Sequence, residues 1–253
     1  MVDLAENDDR TLKVDGLVNG RDLGGLARAD GTLTPRGVFF RSENVDSITG
    51  NGWQQIHNAG IRTVVDLRQQ SERDTDTKER PNWLTTIHVD LDGLENKEFW
   101  ADYWDSGLVG TAIYFLPHLA AMPERAGAAI SAVVNAPAGG VLFHCMGGRD
   151  RTGLLAMALL HAIGTEPECI VDDYLETVRL GEARAANGNR NNAEPRLEEL
   201  CRQHGTTTEG AFRDALANFD LRTFLDAAKL TDEDRAGLFT WRGAAKGPSS
   251  LEA

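Results

Sequence analysis

His144-Cys145-Met146-Gly147-Gly148-Arg149-Asp150-Arg151-Thr152-Gly153 lies between two apolar runs, Val141-Leu142-Phe143 before it and Leu154-Leu155-Ala156-Met157-Ala158-Leu159-Leu160 after it. The pattern reads as a buried strand, a tight loop and a buried helix. A loop that closes at a helix N-terminus turns several backbone N–H groups inward, and the helix dipole adds partial positive charge, so the segment suits a tetrahedral dianion. Met146, Gly147, Gly148, Arg149, Asp150 and Arg151 are the residues expected to cradle it. Cys145 and Arg151 stand at Cys-x5-Arg spacing, which returns a planar, permanently charged guanidinium over the anion for bidentate contact that lysine does not give. The same donors stabilise a thiolate, so Cys145 is expected to act as a nucleophile at neutral pH and to form a phosphocysteine. Thr152 is expected to give its hydroxyl to that sulfur as it leaves, and His144 to orient the loop backbone.

The His-Cys-x5-Arg-Thr-Gly string resembles the signature of the protein-tyrosine phosphatase superfamily. With Asp150 directly before Arg151, it is most similar to the bacterial protein-tyrosine phosphatase B group. Asn19-Gly20-Arg21-Asp22-Leu23-Gly24-Gly25, Phe40-Arg41-Ser42, Val64-Val65-Asp66-Leu67-Arg68 with Glu72, and Asp172-Asp173-Tyr174-Leu175 resemble that group's other blocks in the same order, across roughly residues 17 to 180. The resemblance implies a cysteine-dependent phosphatase acting on phosphotyrosine, with phosphoserine, phosphothreonine and phosphoinositides as further substrates known in the group. It also implies that Arg21 and Asp22 brace the phosphate loop. Arg149 stands where the group usually has lysine; the charge is kept, but the phosphoinositide activity linked to that lysine does not transfer directly.

Two-step phosphate transfer needs a carboxylic acid to protonate the leaving oxygen as the P–O bond breaks. In relatives the acid sits on the loop after the strand that precedes the long helix, which corresponds here to Asp90-Leu91-Asp92-Gly93. Asp92 is the first choice, Asp90 the second, with Asp102 and Asp105 further candidates. Asp150 is fixed inside the loop and has three readings: it orients water, shares the acid role, or holds Arg149 or a backbone amide.

Composition narrows the partners. A net charge of −13 over 253 residues argues against a nucleic-acid partner or a standing anionic-membrane partner, because both need a basic face. A phosphorylated protein, small molecule or lipid head group must then be drawn in by a local positive pocket. Cys145, Cys169 and Cys201 form no CxxC pair, so neither a zinc site nor a disulfide framework is expected, and no cofactor or metal is called for. The acidic N-terminus lacks an apolar signal core and no apolar run is long enough for a membrane span, so a cytoplasmic protein without Sec export is expected.

Apolar runs at Val38-Phe39-Phe40, Ile61 to Leu67, Trp83 to Val89 and the strand before Cys145 alternate with helical patterns. They predict an α/β fold with a mostly parallel central sheet flanked by helices, as in the Cys-x5-Arg phosphatases. Thr49 is expected to cap a helix that buries Trp53 and Ile56 and stops at Gly60, and Thr231 to Asp234 to open the last helix as a capping box. Residues 1–15 read as a polar lead-in, 16–242 as a single domain with 181–242 a helical C-terminal or lid part, and 243–253 as a disordered tail. Within it, 181–196 carry no periodicity and read by default as a solvated linker, with a basic flap near the pocket as the alternative. Phe99, Trp100, Tyr103 and Trp104 are either core or a wall for an aromatic ester, and His161, at a helix end that favours a cation, reads as a structural or partly solvated histidine rather than a ligand.

The same residues speak against three other functions. A binding module that captures phosphate without turnover is disfavoured, because Cys145, Arg151 and Thr152 are all intact. A nucleotide-binding P-loop, suggested by Gly148-x4-Gly153, fails because Leu154 and Leu155 stand where lysine and serine or threonine are required. A rhodanese-like sulfur transferase has no need of Arg151-Thr152-Gly153.

Overall fold

Strand β5, Gly140–His144, is buried at every position. In the computed structural model, which describes residues 9–76, 78–188 and 190–247, it lies at the centre of a five-stranded sheet. The order is β1-β2-β5-β3-β4, with β1 Arg21–Asp22, β2 Phe39–Ser42, β3 Ile61–Asp66 and β4 Thr85–His88. All neighbours run parallel except β1, which pairs antiparallel to β2. Central parallel strands covered on both faces should be apolar, and β5 is from Val141 to Phe143: Val141 and Phe143 enter the larger core while Leu142 enters the smaller one. β4 is the edge strand and is correspondingly half exposed, shorter than the apolar run from Trp83 predicted.

Twelve α-helices follow in chain order among the described residues: α1 Gly50–Asn58, α2 Gln70–Arg73, α3 Lys97–Tyr103, α4 Phe115–Ala121, α5 Pro123–Val134, α6 Asp150–Ala162, α7 Pro167–Arg179, α8 Gly181–Asn187, α9 Glu194–Gln203, α10 Thr208–Ala217, α11 Leu221–Ala227 and α12 Asp232–Phe239. Thr49 caps α1 by accepting from the Gly52 N–H at 3.1 Å, and Gly60 ends it at φ +82°. Thr231 and Asp234 form the capping box of α12. Helix α6 buries ten of its thirteen residues, because it is enclosed by the sheet on one side and by α5, α7, α11 and α12 on the others. A helix apolar all round is what such a position requires.

Two local readings are revised. Residues 9–15 are not a detached lead-in: Leu12 and Val14 are buried in the smaller core and Arg10 reaches Asp173 at 2.9 Å. Order also runs past Gly243, since Arg28 donates to the Lys246 carbonyl at 3.0 Å; residues 1–8 and 248–253 lie outside the described residues. His161 has the structural place the sequence suggested: it stacks edge-on to Phe219 at 5.4 Å, and burial pushes its pKa down. No helix among the described residues is long and apolar enough to cross a membrane.

Candidate active site

The loop from Cys145 to Arg149 joins the carboxyl end of β5 to the N-terminus of α6, where ligands bind in sheets of this kind. Its carbonyls are held from outside. Met146 O accepts from Asn44 Nδ2 and from the Asn44 N–H, both at 3.1 Å; Gly147 O accepts from Arg184 at 3.0 Å; Gly148 O accepts from Arg41 at 2.8 Å. In a planar peptide the C=O of one residue and the N–H of the next point opposite ways. Three carbonyls tethered outward therefore turn the N–H groups of Gly147, Gly148 and Arg149 toward the loop's interior. Gly148 takes φ +67°, and a Cβ there would stand 2.5 Å from Ser42 O, so only glycine lets the loop lie this close on β2.

A second layer fixes those tethers. Asp173 is buried and accepts from Arg41 at 2.6 Å, Arg21 at 2.8 Å and Arg10 at 2.9 Å. Burial resists its charge, but the three guanidiniums hold its carboxyl far below the usual carboxylate range. Arg21 thus braces the loop indirectly, through Asp173 and Arg41. Asp22 does not: its carboxylate accepts from the Gly24 and Gly37 N–H groups at 2.7 and 2.8 Å and shapes that turn instead. His144 Nδ1–H donates to Cys145 O at 3.1 Å, and burial pushes its pKa to about 4, so the ring stays neutral and carries its proton on that nitrogen.

Arg151 and the acid stand together. The guanidinium is forked onto Glu72, at 2.8 Å through Nη2 and closely through Nη1, and Nη1 also meets Asp92 Oδ2 at 3.0 Å. Burial works against its charge, while Glu72, Cys145 and Asp92 keep it protonated. Asp92 is 4% exposed, and burial raises its carboxyl to about 7, with Arg151 opposing and Glu72 adding to the rise. Its backbone is fixed from both sides. Asp90 Oδ1 accepts from the Asp92 N–H at 3.1 Å, and Trp100 Nε1 donates to Asp92 O at 3.0 Å. Asp90 therefore shapes the turn, and Asp102 and Asp105 are exposed; of Asp90, Asp92, Asp102 and Asp105, Asp92 alone hydrogen-bonds Arg151. The aromatic cluster is core: Trp100 is buried, Phe99 stacks on Tyr103 at 4.7 Å, and Trp104 points to solvent.

Two expectations change, those for the Arg149 side chain and for residues 181–196. The Arg149 side chain does not face the loop interior; it is forked onto Glu194 at 3.0 and 3.1 Å, donates to Gly110 O and lies 5.5 Å over the Tyr174 ring. Only its backbone is turned inward. Thr152 is fully buried with its hydroxyl unbonded, the Cys145 sulfur included, among the described residues. Asp150 lies 3.5 Å from Arg149 Nη1 and its carboxyl is raised by burial. The described residues of 181–196 form no solvated linker and take the alternative place near the pocket: α8 and the start of α9 wall the loop, with Glu194 bridging Arg149 and Arg184. Arg184 and Glu194 gave no sequence signal, because charge pairing rather than an apolar stripe holds them. No group of three or more His, Cys, Asp or Glu suited to a metal occurs among the described residues.

A cysteine-to-arginine loop at the end of a central parallel strand, with an acid held on the arginine, defines a phosphatase-type site in an α/β fold. The chain belongs to the tyrosine phosphatase family, which it matches over residues 12–240. It is 29% identical over 171 residues to a protein of Cupriavidus necator provisionally named a tyrosine-protein phosphatase, covering 66% of this chain and 62% of that one. It is also 29% identical over 189 residues to the triple specificity protein phosphatase PtpB of Mycobacterium tuberculosis, covering 64% and 67%. The tyrosine-protein phosphatase of Nostoc commune is 28% identical over 149 residues, 56% of this chain and 49% of that protein. The chain thus spans between about half and two thirds of the length of these relatives.

Proposed function

We propose that this protein is a cysteine-dependent phosphomonoester phosphatase acting on phosphotyrosine, with either phosphoserine and phosphothreonine or a phosphoinositide as secondary substrates. The Cys145 thiolate attacks phosphorus while Arg151 and the inward amides hold the equatorial oxygens. As the P–O bond breaks, Asp92 gives its proton to the leaving oxygen. Water, deprotonated by the Asp92 carboxylate, then attacks the phosphocysteine; the S–P bond breaks toward Cys145, Thr152 turns its unbonded hydroxyl to the returning thiolate, and inorganic phosphate leaves. Asp150 orients that water, and His144 holds the loop backbone. Names given to the relatives support this reading, and a reducing, cytoplasmic setting suits the thiolate.

The observation that carries the proposal is the Arg151–Asp92 contact, which sets a carboxylic acid of near-neutral pKa beside the guanidinium that would hold the phosphoryl group. Cys145→Ser is expected to bind orthovanadate while losing hydrolysis of an aryl phosphate by at least about a thousandfold, the scale on which removing a nucleophile acts. Hydrolysis that survives the substitution removes the covalent mechanism. Asp92→Asn should slow esters with poor leaving groups, such as a phosphoserine peptide, far more than an activated aryl phosphate. If Asp150→Asn shows that split instead, Asp150 is the acid.

A further inference from the structure

A cleft of about 270 Å³ opens beside the phosphate loop, with Met146, Gly147 and Asp150 on one wall and residues of α8, α9 and their connection on the other. Four guanidiniums line it, those of Arg149, Arg184, Arg190 and Arg196, against the three carboxylates of Glu43, Asp150 and Glu194. That balance is reversed from the chain as a whole, which has 39 acidic residues against 26 basic ones. The carboxylates are also engaged: Glu194 by Arg149 and Arg184, Glu43 by the Val18 and Asn19 N–H groups, Asp150 beside Arg149. Arg190 and Arg196 are different. Both are exposed, and neither side chain has an ion pair or hydrogen bond among the described residues. Most of the other arginines have a carboxylate partner, so two uncommitted guanidiniums in one cleft, next to the loop, call for a ligand.

We propose that Arg190 and Arg196 form a subsite for a second anionic group, a phosphate or carboxylate carried by a peptide residue flanking the scissile phosphoresidue. The inference rests on the loop being the phosphatase site. A peptide fits better than a membrane surface, because a chain of net charge −13 is repelled by an anionic bilayer but admits a ligand bearing a few charges into a locally positive cleft. Guanidiniums suit the task, since their planar forks pair bidentately with either phosphate or carboxylate oxygens.

Steady-state kinetics on three peptides of one sequence test this: phosphotyrosine alone, phosphotyrosine with a nearby phosphoserine, and phosphotyrosine with glutamate in that place. The wild-type enzyme should favour the two doubly anionic peptides over the first by roughly three- to tenfold in kcat/KM, the scale of solvent-accessible ion pairs. The gain should lie in KM and fade as salt rises from about 0.05 to about 0.5 M. In Arg190→Gln/Arg196→Gln the three peptides should become equivalent, and Arg190→Lys/Arg196→Lys, which keeps the charge without the fork, should keep only part of the preference. Equal treatment by the wild type, or a preference that persists in the glutamine variant, overturns the subsite while leaving the phosphatase reading intact. A folded enzyme that hydrolyses none of the peptides overturns that reading and the subsite with it. A preference shown only for an inositol bisphosphate over its monophosphate reassigns the cleft to a lipid head group and overturns the peptide assignment.

Discussion

Asp92 is where sequence and environment meet most directly. A carboxyl raised by burial to about 7 is protonated for roughly half its molecules at neutral pH, so formation of the phosphocysteine should fall as pH rises through about 7. Burst kinetics on an aryl phosphate between pH 5 and 9 should show that falling limb, and Asp92→Asn should flatten it. The same shift has a stability sign. The folded carboxyl titrates above its unfolded value, so burying Asp92 costs nothing below about pH 4, and the penalty grows as pH rises through about 7 and then levels off. Asp92→Asn should therefore stabilise the protein by about 2–4 kcal/mol at pH 8 and hardly at all at pH 4. Thermal melts at the two pH values check it; a gain that is equal at both, or larger at pH 4, removes the burial account. The sequence placed the acid within a four-residue turn but ranked Asp92 over Asp90 by position alone. What separates them is that the Asp90 side chain is spent on backbone N–H groups while Asp92 reaches Arg151, a distinction made by tertiary geometry.

At the scale of elements, the phosphate loop is a passive segment held in shape by what surrounds it. β2 supplies Arg41, α8 supplies Arg184, and Asp173 of α7 gathers Arg41, Arg21 and Arg10. Replacing Asp173 by Asn leaves buried guanidiniums without their counter-charge, a change that typically costs about 3–5 kcal/mol. Because the Asp173 carboxyl titrates far below its unfolded value, its stabilisation is full above about pH 4 and is lost as the medium becomes more acid. The gap between wild type and Asp173→Asn in urea midpoint should thus be wide at pH 7 and narrow progressively below pH 4; a gap independent of pH would show that packing rather than charge is lost. Elements announced by apolar period or by a cap were legible: β5, α6, the Thr49-to-Gly60 helix and the Thr231 capping box all stand where the pattern puts them. Helix α8 was not, since it buries Gly181 alone and is tied by the contacts of Arg184 to Gly147, Thr177 and Glu194. Strand order was hidden for a related reason: parallel strands buried on both faces are equally apolar, and nothing local says which neighbour each will take.

For the molecule as a whole, the C-terminal helices close the larger core rather than append to it. Trp241 is fully buried, with its ring edge-on to Phe39 at 4.7 Å, and Phe39 opens β2, whose far end carries Arg41 beneath the phosphate loop. Arg242 next to it donates to the carbonyls of Ala136, Pro137 and Gly139, fixing the connection that feeds β5. Both residues take left-handed backbone conformations, φ +53° and +57°, which cost a non-glycine residue roughly 1 kcal/mol or more each. The chain accepts that cost because the contacts beyond it outweigh it. Trp241→Ala keeps the strained backbone and removes the packing, so it should lose about 3–5 kcal/mol in urea unfolding. The loss should appear in stability and not in chemistry: well below its melting temperature, the variant should hydrolyse an aryl phosphate with kcat near wild type, because the ring packs on Phe39, which opens β2, while Arg41 further along the strand holds the loop. A variant with unchanged stability would mean that the larger core is complete without its last turn. A stable variant with depressed kcat would mean instead that β2 transmits the position of this ring to Arg41 and the loop.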